Sequence, residues 1–349
     1  MRLYRLVILW LVVWAGLDVV TGETNPRRTA TTPNVILIVA DDLGYGELGC
    51  YGQKQILTPN LDRLAAEGIR FTQAYAGNTV CAPSRCSLMT GLHSGHGRIR
   101  SNVQVPLTPE DFTLGDLAKR SGYQTAVFGK WAMGWEGSTG EPNRRGFGEW
   151  FGYLDQNHAH DYYPSFLWRN GQTWLLPGNQ GGQRRDYAPD WFERAATNFI
   201  RINEDRPFLL YFPTIIPHAN NEMGTNGMEV PTLGIYRDRP WPGPEKAKAA
   251  MISRLDATVG RLMEQLKARK IDEDTLILFT SDNGPHQEGG VDPAFFQSSG
   301  GLRGIKRDLY EGGIRVPLIA RWPGKIRPGT TSDLPVAFWD ILPTLAEVL

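Results

Sequence analysis

Three short stretches of this chain carry residues fit for chemistry. Cys81 opens "CAPSRCSLMTG" (81–91), Asp41-Asp42 follows the apolar run "NVILIVA" (34–40), and Asp282-Asn283-Gly284 follows "DTLILFTS" (274–281). Pro83 suits the first turn of a helix, where its missing N–H is not needed. "PSRCSLMT" continues as a helix, and Gly91 is its stop. Cys81 is therefore expected just before a helix N-terminus, where free N–H groups and the dipole favour an anion. A cysteine so placed is activated as a nucleophile. Arg85, one turn on, aims a fork of donors at the same place. A disulfide half, a metal ligand and a buried small side chain are the other roles open to Cys81. Pairing with Cys86 is disfavoured, because the spacing puts the two side chains on different faces of one helix. Cys50 and Cys86 either pair or stay free.

Asp41, Asp42 and Asp282 would repel one another in a dry cleft, and a cation removes that cost. With Asn283 they are all oxygen donors, and no His or Cys spacing typical of zinc accompanies them. Such a donor set selects a hard cation, calcium or magnesium. Either pair alone reads as an ordinary turn; both at the ends of the most apolar runs make a metal site. Two further polar groups end strand-like runs: Lys130 after "TAVFG", and His218 just beyond "FLLYFP". In open α/β sheets, ligands bind beyond the carboxyl ends of the strands. "GYGELG" (44–49) fits a dinucleotide fingerprint, but the two aspartates put negative charge where a pyrophosphate would lie, and no helix start follows.

The elements that must position these groups are legible. "NVILIVA", "QTAVFGK" (124–130), "RPFLLYFP" (206–213), "DTLILFTS" and "VPLIARWP" (316–323) read as strands, the first as one buried on both faces. "TPNLDRLAAEG" (58–68) reads as a helix with Thr58 as N-cap, Pro59 at its first position and Gly68 as its stop. Segments 108–122 and 245–270 read as two more helices. Strand alternating with helix implies an α/β sandwich with a mainly parallel sheet. Segments 131–190 and 219–244, rich in Gly, Pro, Trp and Tyr, read as long excursions over the sheet edge that carry substrate loops. Trp150, Tyr153, Tyr162, Tyr163 and Trp168 serve there either as core or as a groove for sugar rings.

The 349 residues allow one large domain or two smaller ones. Apolar residues at 41% and charged residues at 21% are ordinary for a globular enzyme. A formal net charge of zero gives no nucleic-acid footprint. At the N-terminus, Arg2 and Arg5 precede an apolar run from Leu6 to Leu17, and small or β-branched residues lead to Gly22. This is the layout of a secretory signal peptide over 1–22, too short to span a membrane. Residues 23–33 read as a disordered leader and 34–349 as the catalytic domain. A secreted or periplasmic location follows, with no stable membrane insertion after cleavage. "FWDILPTLAEVL" at the other end stops inside a helix, as a C-terminally truncated product would.

"CAPSRCSLMTG" matches the sulfatase signature C-x-P-S-R-x-x-x-[LM]-T-G at every fixed position. "GLRGIKRDLYEGGIRVPLIARWPG" (301–324) resembles the family's second block, and "VADDLGYGELGCYG" and "FTSDNGPH" resemble two more. The chain thus resembles a type I sulfatase of the arylsulfatase group, close to the carbohydrate sulfatases, on the alkaline-phosphatase-like fold. Relatives carry a smaller C-terminal antiparallel subdomain that is largely missing from this sequence.

The resemblance implies that Cys81 is oxidised to Cα-formylglycine by a maturation enzyme. One hydroxyl of the hydrated aldehyde attacks sulfur, and loss of the second hydroxyl's proton later expels sulfate. It implies that Asp41, Asp42, Asp282 and Asn283, with residue 81, hold calcium or magnesium. Arg85 stabilises the diol, Lys130 and Lys306 clamp sulfate oxygens, and His218 protonates the leaving oxygen. The family often reads G-K-W-H-L-G where this chain has "GKWAMG" (129–134), so Ala132 stands in place of a histidine that helps deprotonate the diol. His158 or His160 in "LDQNHAHDYYP" (154–164) substitutes for it, or both bind substrate together with His286. The expected substrate is a sulfated carbohydrate or an aryl sulfate. The competing readings are a phosphodiesterase or phosphonate monoester hydrolase of the same superfamily, and a non-catalytic sulfoglycan-binding or truncated product.

Overall fold

A computed structural model describes residues 32–349. The segment read as a signal peptide, and nearly all of the leader, lie outside the described residues. The strands are β1 (Asn34–Ala40), β2 (Ile69–Phe71), β3 (Ala74–Tyr75), β4 (Gln124–Lys130), β5 (Glu149–Tyr153) and β6 (Phe166–Arg169), then β7 (Gln172–Leu175), β8 (Phe208–Pro213), β9 (Thr275–Ser281), β10 (Leu318–Arg321), β11 (Thr330–Ser332) and β12 (Val336–Ala337). The α-helices are α1 (Pro59–Ala66), α2 (Cys81–Thr90), α3 (Leu114–Arg120), α4 (Ala188–Ile202), α5 (Gly243–Ala268), α6 (Glu311–Ile314) and α7 (Ile341–Val348).

Ten strands form one sheet in the order β11-β2-β10-β9-β1-β8-β4-β5-β6-β7. The central five, β9 to β5 in that order, are parallel. β10 runs against β9, so the 316–323 run is an antiparallel flank. The register of β1 shows why the sheet is buried on both faces. Ile36, Ile38 and Ala40 enter one core with residues of α1, α4 and α5, whereas Val35, Leu37 and Val39 enter a second core with residues of α2, α3 and α7. A slip of one residue would exchange the two faces. The architecture is the expected α/β sandwich, with helices covering a mixed, centrally parallel sheet.

Three local expectations are corrected. Segment 131–190 is not only an excursion: β5, β6 and β7 extend the sheet there, and α4 begins at its end. Their four or five residues each are too short to stand out among Gly and Pro. The helix expected from Thr108 begins at Leu114. Thr108 N–H donates to Asp111 in a turn of its own, and Thr113 forms a capping box with Asp116. Cys81 is the first residue of α2, with Val80 as its N-cap, rather than the residue before the helix.

Candidate active site

The four central strands β9, β1, β8 and β4 are parallel neighbours, so their carboxyl ends lie on one edge. Asp41-Asp42 leaves β1, Asp282-Asn283 leaves β9, Lys130 ends β4, and the turn after β8 delivers His218. α2 brings Cys81 and, one turn later, Arg85 to the same edge. Lys306 arrives on the loop before α6, where its N–H is held by the carbonyl of Pro285. Gly129 allows the approach of β4 to β8. Its φ is +131°, and a Cβ would lie 1.9 Å from the Pro213 carbonyl oxygen.

These groups are all at most 3% exposed and interlocked. Arg85 donates from Nε and Nη2 to Asp282 Oδ2 at 3.0 and 2.8 Å, and from Nη1 to the Lys130 carbonyl at 2.8 Å. Lys130 Nζ donates to Asp41 Oδ2 at 2.8 Å and lies 3.5 Å from Cys81 Sγ. Lys306 Nζ donates to Asp42 Oδ2 at 2.6 Å and to His218 Nε2 at 3.1 Å. Asn283 Nδ2 donates to Asp42 Oδ1 at 2.7 Å.

Burial works to raise the carboxylates of Asp41 and Asp42. Lys130 beside the first and Lys306 beside the second outweigh it, and both stay well below the usual range. Burial, with Asp41 close by, pushes Asp282 upward against the pull of Arg85. Burial and then Lys306 bring His218 down to about 3. Its Nδ1 faces the Ala219 carbonyl at 2.6 Å and is the protonated nitrogen, which leaves Nε2 as an acceptor for Lys306.

The donors fit a hard cation. Asp41 Oδ1 and Asn283 Oδ1 are buried with no hydrogen-bond partner. Ligand atoms of Asp41, Cys81 and Asp282 lie within 4.8 Å of one another, and so do those of Asp41, Asp42 and His218. Buried orphan oxygens are costly, and a cation would satisfy them. Asp41, Asp42 and Asp282 balance Arg85, Lys130 and Lys306 in charge. A divalent ion would therefore leave the pocket positive.

The histidines separate. His160 stacks on His218, with ring centroids 4.9 Å apart and a 12° tilt, and its Nδ1 meets Glu222 at 3.0 Å. His286 is buried; its Nε2 donates to the Pro217 carbonyl and its Nδ1 accepts from Glu288 N–H. His158 instead packs between Tyr153 and Phe166. All three cysteines are free. Burial and Asp62 push Cys50 up to about 12, and burial raises Cys86. Two amides that the sequence reading passed over touch Cys81: Gln156 Oε1 is 3.2 Å and Asn102 Nδ2 is 3.6 Å from Sγ. Gln156 lies within the segment singled out for its histidines. Asn102 sits in a Ser/Asn loop that carries no signal.

This sheet, with charged groups converging at its carboxyl edge around one residue of a buried helix, defines an alkaline-phosphatase-like fold. The model of the family described as Sulfatase matches residues 33–349. The chain belongs to the sulfatase family. It is 34% identical over 354 residues to human arylsulfatase A, covering 91% of this chain and 64% of the relative. It is 28% identical over 407 residues to an N-acetylgalactosamine-6-O-sulfatase of Bacteroides thetaiotaomicron, covering 96% and 77%. Among solved structures, Ps i-CgsB in complex with k-i-k-neocarrahexaose aligns with a TM-score of 0.78 at 31% identity, covering 91% of this chain and 72% of that one. The chain thus spans somewhat under two thirds of the length of human arylsulfatase A.

Proposed function

We propose that this protein hydrolyses sulfate monoesters of a sulfated carbohydrate. The observation that carries the reading is the cluster around residue 81, in which Arg85, Lys130 and Lys306 face Asp41, Asp42 and Asp282, with one buried carboxylate oxygen and one buried amide oxygen left for a cation. The carbohydrate comes from relatives named for N-acetylgalactosamine 6-sulfate and from the structure holding a neocarrahexaose.

Conversion of Cys81 to formylglycine would supply the nucleophilic hydroxyl. Calcium or magnesium, held by Asp41, Asp42, Asp282, Asn283 and residue 81, would polarise the oxygens near it. The chain's own residues do the rest. Arg85 and Lys130 fix the carboxylates and flank residue 81. Lys130 and Lys306 lie on two sides of the pocket and clamp the sulfate oxygens. Lys306 and His218 share one proton across 3.1 Å, and the pair delivers it to the leaving oxygen. His160, stacked on His218, forms the rim that meets the sugar. The proposed setting is extracytoplasmic, which provides for both the maturation step and the polymeric substrate. Among the described residues, no helix is long and apolar enough to cross a membrane.

The test joins peptide mass analysis of the segment holding residue 81, from a host with the maturation enzyme, to assays on N-acetylgalactosamine 6-sulfate, sulfated galactans and matched phosphate esters. An aldehyde at residue 81 with sulfate-ester turnover is expected. Turnover of phosphate esters alone would replace the reading with that of a phosphohydrolase.

A further inference from the structure

Gln156, a partly buried residue, stands out because only one end of its amide is satisfied. Asn179 shows what a structural amide does in this protein. Its Nδ2 donates to the carbonyls of Pro164 and Asp186, and its Oδ1 accepts from Arg185 and Asp186 N–H, so both ends are used by backbone. At Gln156, Oε1 meets the Cys81 thiol at 3.2 Å, while Nε2 is buried with no hydrogen-bond partner. A buried amide donor without an acceptor is destabilising, so it marks a place where an acceptor arrives.

Asn102 Oδ1 accepts from Ala82 N–H at 3.1 Å, and its Nδ2 lies 3.6 Å from Cys81 Sγ. Two acceptors face the thiol proton, and Gln156 Oε1 at 3.2 Å is nearer than Asn102 Oδ1 at 3.8 Å. Lys130 Nζ stands 3.5 Å from the same atom. Ala132, two residues beyond Lys130, offers only a methyl group.

We propose that Gln156 is a catalytic residue that bridges the nucleophile and the ester. Its Oε1 orients the hydroxyl at residue 81, and its Nε2 donates to a sulfate oxygen once substrate enters. Asn102 is the matching positioning residue on the opposite side. This assignment rests on the sulfatase reading above.

The experiment measures binding of inorganic sulfate by calorimetry to the full chain, in parallel with steady-state hydrolysis of a sulfate ester. The binding arm is run on protein with unconverted Cys81 as well, where no turnover is needed. Gln156→Leu keeps the shape and removes both polar ends. Loss of a charge-assisted hydrogen bond is expected to weaken sulfate binding about 10-fold or more, with kcat falling further than KM changes. Gln156→Glu, isosteric but anionic, should weaken it at least as much, and it decides the matter if the leucine variant misfolds. Asn157→Ala, at an exposed neighbour, should match wild type. Wild-type sulfate affinity and kcat in the folded Gln156 variants would overturn the role of Gln156 and leave the sulfatase reading standing. A wild-type protein that neither binds sulfate nor cleaves sulfate esters would overturn both.

Discussion

At the scale of single residues, the pocket is a set of buried charges that are tolerable only together. Arg85 illustrates this. It makes two hydrogen bonds to Asp282, lies 3.5 Å from Asp41, and is wholly buried. Removing one member of such a group leaves an uncompensated charge in a dry place, at a cost of about 3–5 kcal/mol. Arg85→Leu is therefore expected to lose that much stability in urea unfolding, besides losing the proposed sulfatase activity. An unchanged unfolding midpoint would mean that the pocket is wetter than it looks. The charged partners were legible in sequence because each ends a strongly apolar run or lies in a long motif. Gln156 and Asn102 were not, because their contacts depend on two loops folding back over α2, and loop paths leave no periodic trace. His158 shows the converse. Its type and spacing mark it for the site, yet the turn around it aims the ring at Tyr153 and Phe166.

At the scale of elements, strand identity was the most legible feature. Runs such as "VILIVA" must be covered on both faces, and few structures other than a central parallel strand allow that. Helix starts were harder, since Thr108 and Thr113 are equally good caps on paper. Each has an aspartate three residues on that accepts from its N–H, and at Thr113 the Asp116 N–H also donates back to the threonine Oγ1, which closes the capping box. One helix junction makes a pH-dependent prediction. Asp256 of α5 accepts hydrogen bonds from Asn60 Nδ2 and Leu61 N–H at the start of α1, both at 2.8 Å. Burial raises its pKa from the ordinary 3.8 to about 6. Between these values the folded chain binds a proton that the unfolded chain has released. The contribution of Asp256 to stability is then largest at low pH and is lost as pH rises through about 6. Asp256→Asn should remove this slope, which urea unfolding at a series of pH values between the two would reveal. Parallel slopes for both proteins would count against the shift.

At the scale of the whole molecule, the cluster ties together positions from Asp41 to Lys306, so a cation bound there should stabilise the entire domain. A ligand that binds only the native state at about 100 times its Kd adds about 2.7 kcal/mol. Chelation is expected to lower the melting temperature by several degrees, and calcium, in excess of the chelator, to restore it. A midpoint indifferent to both would place the cation elsewhere. The sheet order was not legible, because it depends on which crossovers the helices permit and not on any one strand. The division of labour across this architecture has a further consequence. Asp41, Asp42, Lys130, Asp282 and Asn283 stand at strand ends and Cys81 and Arg85 on one buried helix, whereas His160 and Glu222 come from connecting segments. Exchange of the residues around His160 and Glu222 leaves those strand ends and that helix in place. Under the proposed function, new preferences for a sugar, or for the position of its ester, can thus be grafted onto an unaltered chassis.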